Sequence, residues 1–249
     1  MRFLGMDITP YTVEEGAYAV IERATLRQGG YVCTVNATMA EEADRSPLLL
    51  SALRGASFCV CDGAGLCRAL SYVYKKRVDR CAGVDLGKRV LSLAAERGLS
   101  VGLWGAAPGV ATKAAEALQK EIPGLCVTFV RHGFERAIPT ELLLSPPTLL
   151  FVCQGSPRQE LLMQRLAERL PHTVMLGLGG SLDVYAGSCR RAPLFVQRAG
   201  LEWLYRCLKE PHRFRRLHPV SFYRLTVREK RRGADKGGRP VKAKRPSVG

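Results

Sequence analysis

Near-continuous apolar runs alternate with amphipathic stretches along most of the chain, and this alternation constrains the fold more than any other feature. The runs are Tyr31–Val35, Phe58–Cys61, Val101–Trp104, Cys126–Val130, Leu149–Cys153 and 173–178. Helical patterns separate them at 12–28, 38–54, 65–76, 85–97, about 109–121, 139–144 and 157–169. A strand that is apolar on both faces must be covered on both faces. Strands alternating with helices therefore predict a Rossmann-like α/β fold, a parallel sheet with helices on both sides. Thr12 followed by Glu15 predicts a capping box at the start of the first helix.

In such a sheet, ligands sit where strands end and helices begin. Two polar loops leave apolar runs only a short helix apart, at Gly155–Glu160 and at Gly177–Asp183. Other strand ends carry Thr34-Val35-Asn36, Asp62-Gly63-Ala64-Gly65 and Gly105–Gly109. Asp62 could accept a proton from a substrate hydroxyl, but spacing alone favours a helix cap. Thr34 and Asn36 fit a sugar, a diphosphate or ordinary turn chemistry. Arg80 could clamp a phosphate, although a solvated surface arginine is commoner. Asp85 reads first as the cap of the helix at 85–97. Arg158 and Gln159 fit first-turn polarity, and Asp183 fits either a turn or a nucleotide contact. Gly102, Gly105 and Gly109 do not fit G-x-G-x-x-G, because the second glycine comes one residue late.

Charge is unevenly placed. The net charge is +16, and +12 of it lies in residues 206–249, which hold 15 Lys+Arg against 3 Asp+Glu. The partner of that end is expected to be anionic. Arginines from 206 to 216 could grip a diphosphate or lipid, and their interleaving with apolar and aromatic residues suits a membrane interface. The expected units are a catalytic domain at 1–193, a membrane-associating appendage at 194–227 that opens with an amphipathic helix over Leu194–Lys209, and a disordered basic tail at 228–249. Nine cysteines stand without any C-x-x-C pair, which favours buried free thiols in a reducing compartment. The acidic first thirty residues do not read as a signal peptide, and no apolar run approaches about 20 residues.

The blocks G-x-P-x-Q-E at 155–160, G-x-G-G-x-x-D-x-x-A-G at 177–187, R-A-P at 191–193 and G-L-E-W-L-Y-R…E-P-x-R at 200–213 occur in order. Together with Thr34-x-Asn36, Asp62-Gly63 and Arg80-x-x-Gly83-x-Asp85, they resemble the WecG/TagA/CpsF glycosyltransferases, glycosyltransferase family 26, over roughly residues 5–217. The resemblance implies transfer of an N-acetylmannosamine-type sugar from a UDP donor to a polyprenyl-diphosphate-linked sugar, with inversion, no metal and no other cofactor. It places the enzyme in the cytoplasm, peripheral on the inner face of the bacterial membrane, and admits a homo-oligomer. Asp62 would be the general base. Thr34, Asn36, Arg80 and Gln159 would line the pocket, with Asp183, Gly179 and Gly180 facing the nucleotide. Arg206, Arg213 and Arg216 would close over the site and hold a diphosphate. Two other classes compete: a nucleotide-binding oxidoreductase, which the poor glycine fingerprint disfavours, and a nucleic-acid-binding module using the basic tail, which the aromatic interleaving disfavours.

Overall fold

The structure, a computed structural model, describes residues 1–135, 137–189, 191–193, 195–196, 201–209 and 219–235, with backbone alone for residues 203, 206, 207, 209 and 233–235. Its centre is an eight-stranded sheet in the order β1-β2-β4-β3-β8-β7-β5-β6. The strands are β1 (Arg2–Phe3), β2 (Met6–Thr9), β3 (Gly30–Val35), β4 (Phe58–Cys61), β5 (Ser100–Gly105), β6 (Cys126–Arg131), β7 (Leu149–Cys153) and β8 (Val174–Gly177). Only the β1–β2 pair is antiparallel; every other pairing is parallel.

Successive residues of each central strand enter two different cores. Cys33, Cys59, Trp104, Leu150, Val152 and Met175 face one, while Val32, Val60, Leu103, Phe151, Val174 and Leu176 face the other. This period of two is why the runs read as uniformly apolar. The first core is covered by α2 (Ala37–Arg45), α3 (Pro47–Arg54), α4 (Ala64–Tyr74), α7 (Thr140–Leu144) and α8 (Arg158–Ala167). The second is covered by α1 (Val13–Thr25), α5 (Gly83–Glu96), α6 (Val110–Glu121) and the short α9 (Ser181–Tyr185).

Local chemistry sets the boundaries. The capping box is present: Glu15 N donates to Thr12 Oγ1 at 3.2 Å, and Thr12 N donates to Glu15 Oε2 at 2.9 Å. The bond from Thr12 N, joined by one from the Thr12 hydroxyl to the same oxygen at 2.9 Å, holds the Glu15 carboxyl below its ordinary pKa. The single helix expected at 38–54 is two helices. Ser46 ends α2 and caps α3, and Pro47, which has no N–H to donate, stands at the first position of α3. The hairpin β1–β2 was not expected, because two and four residues are too few to show a period.

The C-terminal expectations need correction. Of the single helix expected over 194–209, residues 195–196 and α10 (Glu202–Lys209) are helical, but Leu201 between them is not. A further helix, α11 (Pro219–Asp235), runs through residue 228, so residues 228–235 are not the structureless start of a tail. Phe222 and Leu225 pack on the first core, and the Phe222 ring lies 6.1 Å from that of Phe3. Three of its charged residues contact the body of the protein. Arg228 pairs with Asp44 at 2.5 Å, Leu4 N donates to Glu229 Oε2 at 3.3 Å, and the Lys230 ammonium sits 3.4 Å above the Tyr72 ring. One apolar stripe plus three polar attachments order a segment whose composition alone reads as disordered. No described helix is long and apolar enough to cross a membrane.

The cysteines at 33, 59, 61, 67, 81 and 153 are free and buried, whereas Cys126 and Cys189 are free and exposed. Burial pushes the Cys81 and Cys153 thiols up to about 12, which keeps them protonated near neutral pH.

The glycines within β5 have a packing role. A Cβ on Gly105 would stand 2.1 Å from the Cys153 carbonyl oxygen, and one on Gly102 would stand 2.8 Å from Pro147 Cγ. Gly105→Ala is therefore expected to push β5 off β7 and to cost about 1–3 kcal/mol or more, read as a lowered urea midpoint. An unchanged midpoint would show that the strands can part at no cost.

Candidate active site

The carboxyl ends of β4, β3 and β8 meet in one open cleft. Asp62, Arg80, Gly83, Leu178, Gly180 and Ser181 line it. Asp62 leaves β4 with its backbone tied to β3, donating from its N–H to Val35 O at 2.7 Å. The carboxylate is held from two sides. Arg80 Nε donates to Oδ1 at 3.2 Å, and Gly83 N, at the start of α5, donates to Oδ2 at 3.2 Å. Gly63 rather than Asp62 is the N-cap of α4, and no side chain caps that helix. The cap reading of Asp62 therefore falls, and its carboxylate faces the cleft with a quarter of the side chain exposed.

Arg80 is not a solvated surface arginine. Its Nη2 lies 2.8 Å from Glu202 Oε2, so its guanidinium spans Asp62 and Glu202. Burial works against its charge, but the two carboxylates outweigh that and push its pKa up. The pairing continues beyond Glu202. Glu202 Oε1 lies 3.7 Å from Arg191 Nε, and Arg191 donates to both oxygens of Asp85 at 2.5 and 2.7 Å. The Asp85 bond is the main reason why the Arg191 pKa rises. Asp85 is thus not the cap of its helix: α5 begins at Gly83 with Ala82 as N-cap, and Asp85 lies in the first turn.

Other candidates sit around this centre with distinct jobs. Thr34 is buried, and its Oγ1 donates to Gly177 O at 2.8 Å, joining the tips of β3 and β8. A Cβ on Gly83 would meet Thr34 Oγ1 at 3.3 Å and Asp62 Oδ2 at 3.6 Å, so Thr34 underlies the Asp62–Gly83 contact. Asn36 is the N-cap of α2, and its Oδ1 accepts from Met39 N at 3.0 Å; it stands beside Gly63 at the rim. Gln159 is fully enclosed. Its Oε1 accepts from Gly155 N at 3.2 Å and Gly179 N at 3.0 Å, and its Nε2 donates to Glu160 Oε1 at 2.7 Å. Gln159 therefore clasps the two loops to each other. Gly179 has a φ of 54°, a left-handed conformation in which glycine is unstrained, and nothing lies within 4 Å of where a Cβ would stand there. Asp183 lies on α9, with Oδ2 3.6 Å from where a Gly180 Cβ would stand. Arg206 is on α10 with its side chain outside the described residues, and Arg213 and Arg216 lie outside them altogether.

The structure therefore gathers Asp62, Arg80, Thr34 and Gly180 at one place, with Asn36 and Asp183 at its edge and Gln159 beneath its loops. Sequence reasoning missed Gly83, Ser181, Arg191 and Glu202. Arg191 and Glu202 stood inside the motif blocks, which was the available signal; nothing in their spacing pointed to a partner more than 100 residues away. Strand packing accounts for Gly102 and Gly105, and Gly109 is the left-handed N-cap of α6, so the three serve β5 and the start of the next helix.

A profile of the family described as "Glycosyl transferase WecG/TagA/CpsF family" matches residues 1–236. The chain belongs to this glycosyl transferase family. It is 32% identical over 212 residues, 84% of this chain and 82% of the relative, to a protein of Bacillus spizizenii (strain ATCC 23059 / NRRL B-14472 / W23) named N-acetylglucosaminyldiphosphoundecaprenol N-acetyl-beta-D-mannosaminyltransferase. A Bacillus subtilis (strain 168) protein of the same name is 29% identical over 202 residues, 80% of this chain and 79% of the relative. As a WecG/TagA/CpsF glycosyl transferase, the chain places its ionic cleft at the strand tips where α/β enzymes bind ligands.

Burial pushes the Glu160 carboxyl above its ordinary pKa, while the bond from Gln159 pulls it back. A raised folded-state value means that stability falls as pH rises through the range between the unfolded and folded pKa. Gln159→Ala strips the carboxylate of that donor and leaves two loop amides unpaired. The variant should lose about 1–3 kcal/mol, and more at about pH 8 than at about pH 5, in urea unfolding. A loss independent of pH would separate Gln159 from Glu160.

Proposed function

We propose that the protein is an inverting transferase that moves an N-acetylmannosamine-type sugar from a UDP donor to the sugar of a polyprenyl-diphosphate acceptor. The observation that carries this reading is the Asp62 carboxylate, open to the cleft and held by Arg80 and the Gly83 amide at 3.2 Å each. The names of the two Bacillus relatives support the acceptor and the sugar.

Inversion in a single displacement needs one base for the acceptor hydroxyl and a stable place for the departing diphosphate. Asp62 supplies the base. Two of its lone pairs are used by Arg80 and Gly83, and the others remain for the incoming hydroxyl proton. Arg80, in a site of reduced dielectric, offers positive charge beside the carboxylate and to a nearby phosphate. Gly179 and Gly180, in the loop clasped by Gln159, allow the diphosphate to come close to backbone. Arg206, Arg213 and Arg216 add cationic charge from the C-terminal segment, where they close on the diphosphate.

The C-terminal segment is also the membrane contact in this reading. Phe195, Leu201, Leu208, Val220 and Tyr223 are exposed in a region rich in arginine and lysine. Aromatic and apolar side chains among cations suit an anionic lipid surface, where the acceptor's polyprenyl chain resides. The enzyme then works on the inner membrane face.

The test is turnover with UDP-N-acetylmannosamine and a short-chain polyprenyl-diphosphate N-acetylglucosamine. Asp62→Asn keeps the shape and the Gly83 bond but cannot take the proton. It should lower kcat by about 100- to 10,000-fold while leaving the thermal midpoint in place. Wild-type turnover in the variant would remove Asp62 from the role of base.

A further inference from the structure

We propose that Glu202 is a positioning residue: it docks α10 onto the cleft and fixes the plane of the Arg80 guanidinium against Asp62. The proposal rests on the reading of this cleft as the site of transfer.

A guanidinium held by one bond can still turn about it. Arg80 is held by two contacts, a hydrogen bond from Nε to Asp62 Oδ1 at 3.2 Å and an ion pair between Nη2 and Glu202 Oε2 at 2.8 Å. The two carboxylates come from distant parts of the chain, one from the tip of β4 and one from the first turn of α10. Glu202 is buried, with 7% of its side chain exposed, whereas Arg80 and Arg191 keep 26% and 21% exposed. The carboxylate is thus enclosed, while Arg80 reaches outward to the cleft.

Charge explains why this position needs a carboxylate. Arg80 and Arg191 disfavour each other, since the charge of Arg80 lowers the pKa of Arg191. Glu202 lies between them, 2.8 Å from one and 3.7 Å from the other, and Asp62 and Asp85 complete an alternating row of five charges. Removing the central anion leaves two half-buried guanidiniums facing one another, with one anchor each. A carboxylate in the first turn of α10 is also favoured by the helix dipole. Through this side chain the placement of α10 and the alignment of Arg80 are tied together. Residue 206 lies one turn further along the same helix, so the docking also sets its position.

The test is a double-mutant cycle on the full-length protein with Glu202→Gln, Arg80→Lys and the pair. Lysine keeps the charge of Arg80 but cannot fork between two carboxylates. Two readouts are taken: kcat for sugar transfer, and amide hydrogen exchange of residues 202–209. Glu202→Gln should lower kcat by about a hundredfold in the wild-type background and by about twofold or less beside Arg80→Lys. Exchange across 202–209 should quicken in Glu202→Gln and quicken no further in the pair, with Glu202→Asp between wild type and Glu202→Gln in both readouts. Equal losses in both backgrounds would make Glu202 a scaffold residue that does not act through Arg80 and would overturn the proposal. So would a rate loss without faster exchange, or faster exchange at full rate. The exchange readout does not depend on the reaction, so wild-type turnover in Asp62→Asn would sink the assignment of the cleft while leaving the docking contact to stand or fall on its own.

Discussion

The ion pair between Asp62 and Arg80 is the interaction around which the cleft is organised. A carboxylate and a guanidinium at 3.2 Å, each about three-quarters shielded, carry further hydrogen-bonding needs that water does not fully meet. The structure meets them with the Gly83 amide on one side and Glu202 on the other. The parallel sheet makes this possible. Because β3, β4 and β8 run the same way and lie side by side, their carboxyl ends deliver Thr34, Asp62 and the 177–180 loop to one edge. Glycine at 83 then lets α5 start close enough for its backbone to reach the carboxylate.

The loops are held by polar side chains that the protein has buried rather than offered to a ligand. Thr34 joins two strand tips, and Gln159 joins two loops, so residues of a type usually assigned to substrate instead set the geometry of the residues that meet it. This division suits a transferase. A displacement reaction depends on atoms being aligned to a fraction of an ångström, and rigid supports beneath the site provide that more surely than additional ligand contacts.

The sheet was legible in the sequence because each buried strand is apolar on both faces and each helix keeps a polar stripe. The cleft residues Asp62 and Arg80 and the supporting Thr34 were reachable through motif order, with Thr34 and Asp62 at the carboxyl ends of predicted strands. What escaped has physical causes. β1 and β2 are too short for a period, and Ser46-Pro47 breaks a helix whose apolar pattern continues across the break. α11 is ordered by Phe222, Leu225 and charged contacts to Asp44, Leu4 and Tyr72, none of which is visible in a window of local composition. The Glu202–Arg80 contact joins residues 122 positions apart, and local spacing holds no information on such a pairing.

The central claim is that the donor's diphosphate and the acceptor hydroxyl meet at Asp62 and Arg80. A crystal structure of the protein with UDP tests it most directly. The claim predicts the diphosphate in the cleft bounded by Arg80, Gly83 and the 177–180 loop, within hydrogen-bonding reach of backbone amides or a guanidinium there. A diphosphate seated at the Gly105–Gly109 turn after β5, with the Asp62 cleft untouched, would contradict it.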